Sequence, residues 1–275
     1  MAGSPSPVRP ILSCPMVPTD LSLSRSILAV AGLTVLAAGG LAVLVTRSEP
    51  DVRARFVMPE TPVVSTPVER VAAGPLLDRT GAWITLGDAA SRVRVRFAAL
   101  PGLLYRISTA PDAGVAPVVS RRGGRVAVRL KETGGDGLNE VRIELNRAVR
   151  WDIRLPAGAG EQQINLEDGR VRRISLGSAG LSRVWLPEPD GTVPVVFTGG
   201  VGTAVITVRS GAPFRVRFDA GAGSVDTPWT ANNGTAAGTV LREPDFPWSH
   251  DRYRVRAEGG VGVLIIQRRA GAGDS

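Results

Sequence analysis

From Ala82 onward, apolar and polar residues alternate with period two, and Gly, Pro, Asp or Asn interrupts the alternation about every 8 to 12 residues, the spacing of consecutive short strands. The pattern predicts strands at Ala82 to Leu86, Arg92 to Ala98, Leu103 to Ser108, Arg125 to Leu130, Val141 to Leu145 and Ala148 to Leu155. Further strands are expected at Gln162 to Leu166, Val171 to Leu176, Arg183 to Leu186, Val193 to Thr198, Ala204 to Val208, Phe214 to Phe218, Tyr253 to Ala257 and Val263 to Gln267. No amphipathic helix appears in this stretch.

The region before it reads differently. Ile27 to Val45 (ILAVAGLTVLAAGGLAVLV) carries no charge, and as a helix it spans roughly 28 Å, enough to cross a hydrocarbon core. The run is longer than a secretory core and ends in Val45-Thr46-Arg47 without a small-residue cleavage site, so an uncleaved anchor is expected. Arginines lie on both sides of the span, and the domain is placed outside because long C-terminal domains translocate largely regardless of charge. Pro50, Pro59, Pro62, Pro67 and Pro75 follow, a composition that reads as an extended spacer. The expected organisation is a tail over 1–25, a transmembrane helix over 26–46, a Pro-rich spacer over 47–80, a β-repeat domain over 81–268 and a tail over 269–275.

Glycine-rich turns recur in the second half. The last glycines of these runs are Gly160, Gly180, Gly202, Gly223 and Gly262, in steps of 20, 22, 21 and 39, the last near twice the period. A unit of about 20 to 22 residues with a glycine corner predicts stacked strands in a β-solenoid or β-roll. Such corners need positive φ or close backbone approach, and both disfavour a Cβ. Between Asp226 and Asp251 the rhythm fails, which predicts an irregular coil or an inserted loop.

The run Trp151-Asp152-Ile153-Arg154-Leu155-Pro156-Ala157-Gly158-Ala159-Gly160, then Ile164-Asn165-Leu166, Val184-Trp185-Leu186-Pro187 and the Gly-Gly-Val-Gly turns resemble β-strand-repeat domains of bacterial cell-envelope proteins. These are the putative-adhesin, toast-rack and LiaF-like C-terminal families, and the resemblance covers about residues 140–268. It implies a right-handed β-solenoid or related roll, placement at the cell envelope, and no catalytic residues to carry over. Residues 82–130 are matched less clearly, as first coils or as a small cap.

Composition narrows the chemistry. The chain has 33 Gly and 21 Pro but one His and one Cys, so it holds neither an internal disulfide nor a zinc site of the usual ligand count. His250 lies in Pro247-Trp248-Ser249-His250-Asp251 with no GxSxG elbow elsewhere, and no GxxxxGK phosphate loop occurs. Glu161, Asp168, Glu188, Asp190, Asp219 and Asp226 sit near turns, where acidic residues serve local hydrogen bonds. The net charge of +8 comes from arginines spread evenly and alternating with apolar residues, as in Arg92 to Phe97, so it reads as solvated strand faces and no nucleic-acid partner is expected.

No enzyme, metal or cofactor is therefore expected. Trp151 and Trp185 read as core or coil-end packing. Trp229 and Trp248 flank the irregular segment, and with Asn232, Asn233 and Phe246 they are the candidate partner-binding residues, since aromatic rims recur at recognition surfaces. Two functions remain open: an extracytoplasmic binding or adhesion module for an envelope polymer or protein, and a membrane-bound regulator that senses envelope state through a partner in the bilayer.

Overall fold

The computed structural model describes residues 69–269, all strands and connections, with no helix among them; the anchor expected at 26–46 lies outside these residues. The first half contributes β1 (Arg70–Pro75), β2 (Gly81–Leu86), β3 (Ala90–Ala98), β4 (Leu103–Thr109), β5 (Val115–Arg122), β6 (Arg125–Glu132) and β7 (Glu140–Asn146). Next come β8 (Arg150–Leu155), β9 (Ala159–Asn165), β10 (Arg170–Leu176), β11 (Ala179–Leu186), β12 (Thr192–Phe197) and β13 (Val201–Val208). The chain closes with β14 (Phe214–Phe218), β15 (Ala222–Thr227), β16 (Thr230–Thr235), β17 (Val240–Arg242), β18 (Arg252–Ala257) and β19 (Val261–Arg268).

The strands form two sheets. One has ten strands in the order β1-β4-β7-β3-β9-β11-β13-β19-β15-β16, the other nine in the order β17-β14-β18-β12-β10-β8-β2-β6-β5. Apart from the antiparallel end strands β1, β4, β5, β16 and β17, successive strands alternate between the sheets, so β2 with β3, β6 with β7, β8 with β9, β10 with β11, β12 with β13, β14 with β15 and β18 with β19 each make one layer, and layers pair in parallel with their neighbours. Antiparallel strands finish both ends: β1, β4 and β5 at one, β16 and β17 at the other.

Alternation does the folding. In β3, Val93, Val95 and Phe97 are buried while Arg92, Arg94 and Arg96 point outward, and the same parity in both sheets feeds a single core cluster. Trp151, Tyr253, Phe197, Phe214 and Phe218 are its largest fully buried members. The polar atoms they bring inside are paired: Trp151 Nε1 donates to the Asn146 carbonyl at 3.0 Å, and the Tyr253 hydroxyl donates to the Pro187 carbonyl.

The repeat is real, and of the two reasons expected for its glycines the structure shows close backbone approach, within strands rather than at corners. Gly160, Gly180, Gly202, Gly223 and Gly262 lie inside strands, each as the second residue, and none has positive φ. In β11, β13, β15 and β19 the first and fourth residues face inward, so the glycine and its successor form a kink. These glycines stack across the sheet. A Cβ on Gly202 would lie 2.6 Å from the Gly180 carbonyl oxygen, and one on Gly223 would lie 2.7 Å from that of Gly262.

The order of layers also departs from the sequence. β19 pairs with β13 and with β15, so the last layer is inserted between two earlier ones, and the 39-residue step joins neighbours rather than skipping a layer. At the other end β7 lies outside β3, which places residues 82–130 within the same two sheets. β1 falls in the expected spacer, β5 in a stretch for which no strand was expected, and β15, β16 and β17 in stretches read as a glycine turn or irregular coil. Proline explains two of these: β1 and β5 are edge strands, where Pro75 and Pro117 leave no interior ladder bond unmade.

Candidate functional site

The five residues expected to bind a partner do different jobs. Trp229 is half-buried, packs on the core and stacks on Phe214 at 6.1 Å and 16°, and Phe214 in turn stacks on Tyr253 at 4.7 Å. Phe246 is buried, with the Arg252 guanidinium 5.0 Å above its ring and Arg252 Nη1 donating to its carbonyl at 3.1 Å. Both are packing residues. Asn232 and Asn233 lie on edge strand β16, opposite Val225 and Ser224, and Trp248 is 88% exposed.

A groove forms elsewhere, on the outer face of the ten-stranded sheet. About 570 Å³ in volume, it is lined by Arg94, Arg106, Arg142, Gln163, Asn165 and Trp185 among others. Its rows follow from strand register. Arg106 on β4 lies opposite Glu144 on β7, Glu144 opposite Arg96 on β3, Arg96 opposite Asn165 on β9, and Asn165 opposite Trp185 on β11. Two residues back, Ser108, Arg142, Arg94, Gln163 and Arg183 form a parallel row.

Carboxylates on this face hold the arginines in place. Glu161 accepts from Gln163 Nε2 at 2.7 Å, Arg92 Nε at 2.8 Å and Arg183 Nη1 at 3.1 Å. Glu140 accepts from Arg142 Nε at 2.7 Å and Arg92 Nη1 at 3.3 Å, and Arg96 Nε donates to Glu144 at 3.0 Å. The hydrogen bond from Gln163 and the pull of Arg92 hold the Glu161 carboxyl below its usual range. Burial pushes Glu140 up, but Arg142 and Arg92 outweigh it, and that carboxyl too is held low. Both stay ionised at neutral pH, the opposite of a poised general acid. Arg106 has no carboxylate within ion-pair distance among the described residues. The result is a wall of fixed donors and amides beside one flat indole.

Trp185, expected as packing, faces outward instead: its neighbours Val184 and Leu186 are buried, so parity turns the indole outward. The signal was present in the strand itself. Trp151, by contrast, is fully buried as expected.

No family model matches the chain, and no curated protein matches it. Solved structures do. A "putative cell adhesion protein" from Clostridium sporogenes is 15% identical over 74% of this chain and 100% of its own, with a TM-score of 0.55. "Putative adhesin" structures from Bacteroides fragilis and Parabacteroides merdae, 8% and 9% identical, align over 73% and 72% of this chain and 99% and 96% of their own, with TM-scores of 0.26 and 0.22. The adhesin-type resemblance seen in the glycine-rich strands therefore extends to the fold, and the chain is similar in its all-β architecture, over about three quarters of its length, to a solved structure described as a cell adhesion protein.

Proposed function

We propose that this protein is a non-catalytic binding module of the bacterial cell envelope, held by one transmembrane helix with its domain outside, and that it engages a glycan-bearing partner through the groove at Trp185. The strand layers would form a β-roll whose outer face displays the site. The observation that carries this reading is the outward indole of Trp185 next to Asn165, with Gln163, Arg94 and Arg96 in register beside it. A sugar ring packs its apolar face on an indole while planar amides and guanidinium groups take its hydroxyls. Ionised, arginine-paired carboxylates argue for binding rather than proton transfer, and the adhesin-type fold agrees with that class. The apolar run at 26–46 supports an anchor.

The test is sedimentation of the full-length chain, in mild detergent, with isolated cell-wall glycan fractions. Trp185→Ala is expected to weaken capture about tenfold with its melting temperature nearly unchanged, because its indole, unlike that of Trp229, does not pack against the core. Capture equal to the unsubstituted chain would refute the site. Protease added to spheroplasts tests the orientation: digestion of the domain is expected, and full protection would overturn it.

A further inference from the structure

The outer face of the nine-stranded sheet carries a second feature, independent of the Trp185 groove. Arg215 on β14 lies directly opposite Arg242 on β17 and Arg254 on β18. The flanking Phe214, Val216, Tyr253 and Val255 are buried, so the three guanidinium groups stand on the solvent side in adjacent strands about 4.8 Å apart. Like charges placed opposite one another across a sheet repel. None of the three has a carboxylate within ion-pair distance or a side-chain hydrogen bond among the described residues.

The next row of the same two strands shows what resolves such a pairing. Arg217 lies opposite Arg256, and the Asp219 carboxylate bridges them, one oxygen accepting from Arg217 Nε at 2.7 Å and the other from Arg256 Nε at 2.6 Å. The protein thus supplies its own example: a planar carboxylate spans two arginines at strand spacing. One row away the same spacing recurs with three arginines. Further across this face, Trp83 lies under the guanidinium groups of Arg125, at 6.0 Å, and Arg172, at 5.6 Å, so the surface is aromatic as well as cationic.

We infer that the Arg242-Arg215-Arg254 row is a binding site for the carboxylates of an acidic polysaccharide. The occupant follows from charge complementarity and from Asp219: the group that fits is a two-oxygen carboxylate, and a uronate-type polymer offers one such group on ring after ring, with sugar faces for the aromatic part of the surface. Arginine forks hold carboxylates at two points, which gives geometric selection as well as charge.

Binding of the full-length chain in mild detergent to polygalacturonate is measured at physiological salt, with neutral dextran and inorganic polyphosphate as comparison probes. Polygalacturonate retention above the dextran level is expected. The triple variant R215Q/R242Q/R254Q is expected to lose at least tenfold in affinity, while R147Q/R209Q/R269Q, which removes three exposed arginines away from this row and from Trp83, changes it less than twofold. The row triple is also expected to melt no lower than the unsubstituted chain, since it relieves repulsion; should it fail to fold, R254Q alone is expected to weaken binding about threefold. Equal losses in the two triples would reduce the effect to net charge and overturn the site. Retention no better than dextran, or polyphosphate retained while polygalacturonate is not, would overturn the carboxylate assignment.

Discussion

Substituting Gly202 by Val tests the central packing claim. Gly202 is the second residue of β13, and its backbone lies against Gly180 of β11 on one side and Gly262 of β19 on the other. A Cβ there would sit 2.6 Å from the Gly180 carbonyl oxygen, well inside contact distance, and the obstacle is backbone that cannot swing aside. Relief requires β11 and β13 to part locally, at the cost of ladder hydrogen bonds and of contacts beneath Val201 and Ala204, both buried. Overpacking of this kind costs about 1 to 3 kcal/mol and the two extra methyls place Val at the upper end. For a domain of this size, about 3 kcal/mol lowers the melting temperature by roughly 6 to 12 °C. Gly200→Ala is the matched control. It lies two residues away, is exposed, has ordinary φ, and its Cβ would be 3.7 Å from the Gly260 carbonyl oxygen, so a change within about 0.5 kcal/mol is expected. Arg217→Ala should also be mild, since it removes one exposed ion pair worth about 1 kcal/mol or less. Thermal unfolding followed by circular dichroism at the strand signal reads all three. Equal shifts for Gly202→Val and Gly200→Ala would refute close approach as the reason for the glycine ladder.

Trp229→Ala is expected to destabilise by roughly 2 to 4 kcal/mol through lost stacking on Phe214, whereas Trp248→Ala, at an 88% exposed position, should change stability by less than about 0.5 kcal/mol; comparable losses in urea titrations would contradict the assignment of Trp229 to packing. Asn146→Ala should cost about 2 to 3 kcal/mol, because its amide donates to the Leu100 and Leu103 carbonyls at 2.9 and 2.7 Å and accepts from the Ala148 N–H at 3.0 Å, and an unchanged urea midpoint would show those bonds to be dispensable. Arg217 and Arg256 hold the Asp219 carboxyl below its usual range, so its contribution is present above the unfolded carboxylate value and lost as pH falls through the folded one. Glu243, which burial pushes up despite Arg268, works in the opposite sense, so the decisive quantity is a difference: Asp219→Asn should lose less stability than the unsubstituted chain between about pH 5 and 3, and identical acid profiles would refute the linkage.

How much of this was legible depends on whether the information was local. Strand parity is local, and it correctly placed Val93, Val95 and Phe97 inside with Arg92, Arg94 and Arg96 outside. The glycine period was equally visible, because each Gly sits at a fixed place in a strand of the ten-stranded sheet, and of the two causes the pattern allowed the structure shows close approach to a neighbouring carbonyl. The edge strands were hidden by Pro75 and Pro117, which argue against a central strand and say nothing against an edge. Pro194 shows the same limit from the other side: β12 is interior, and β10 pairs with it only from Val195 onward. The order of layers could not be read, since β15 and β19 share one burial pattern over their first four residues and either suits the place beside β13. The groove needed both kinds of knowledge. Parity alone turns Trp185 outward, but only register brings Arg106, Glu144, Arg96 and Asn165 into line with it. Of the five sequence candidates, Trp229 and Phe246 spend their rings on packing, which nearness along the chain does not reveal.

The insertion of β18 and β19 between earlier layers bears on how such an array can lengthen. A stack that simply followed chain order could grow by appending units after its last strand, as repeat genes do when they duplicate. Here the final layer is already enclosed, with β13 on one side and β15 on the other, and the outermost positions at that end belong to β16 and β17. A unit added behind Arg268 would find, among the described strands, no edge that already carries parallel pairing. Growth by duplication is open only in the middle, around β8 to β13, where layers follow one another in chain order and a new one can be spliced between two that already match its register.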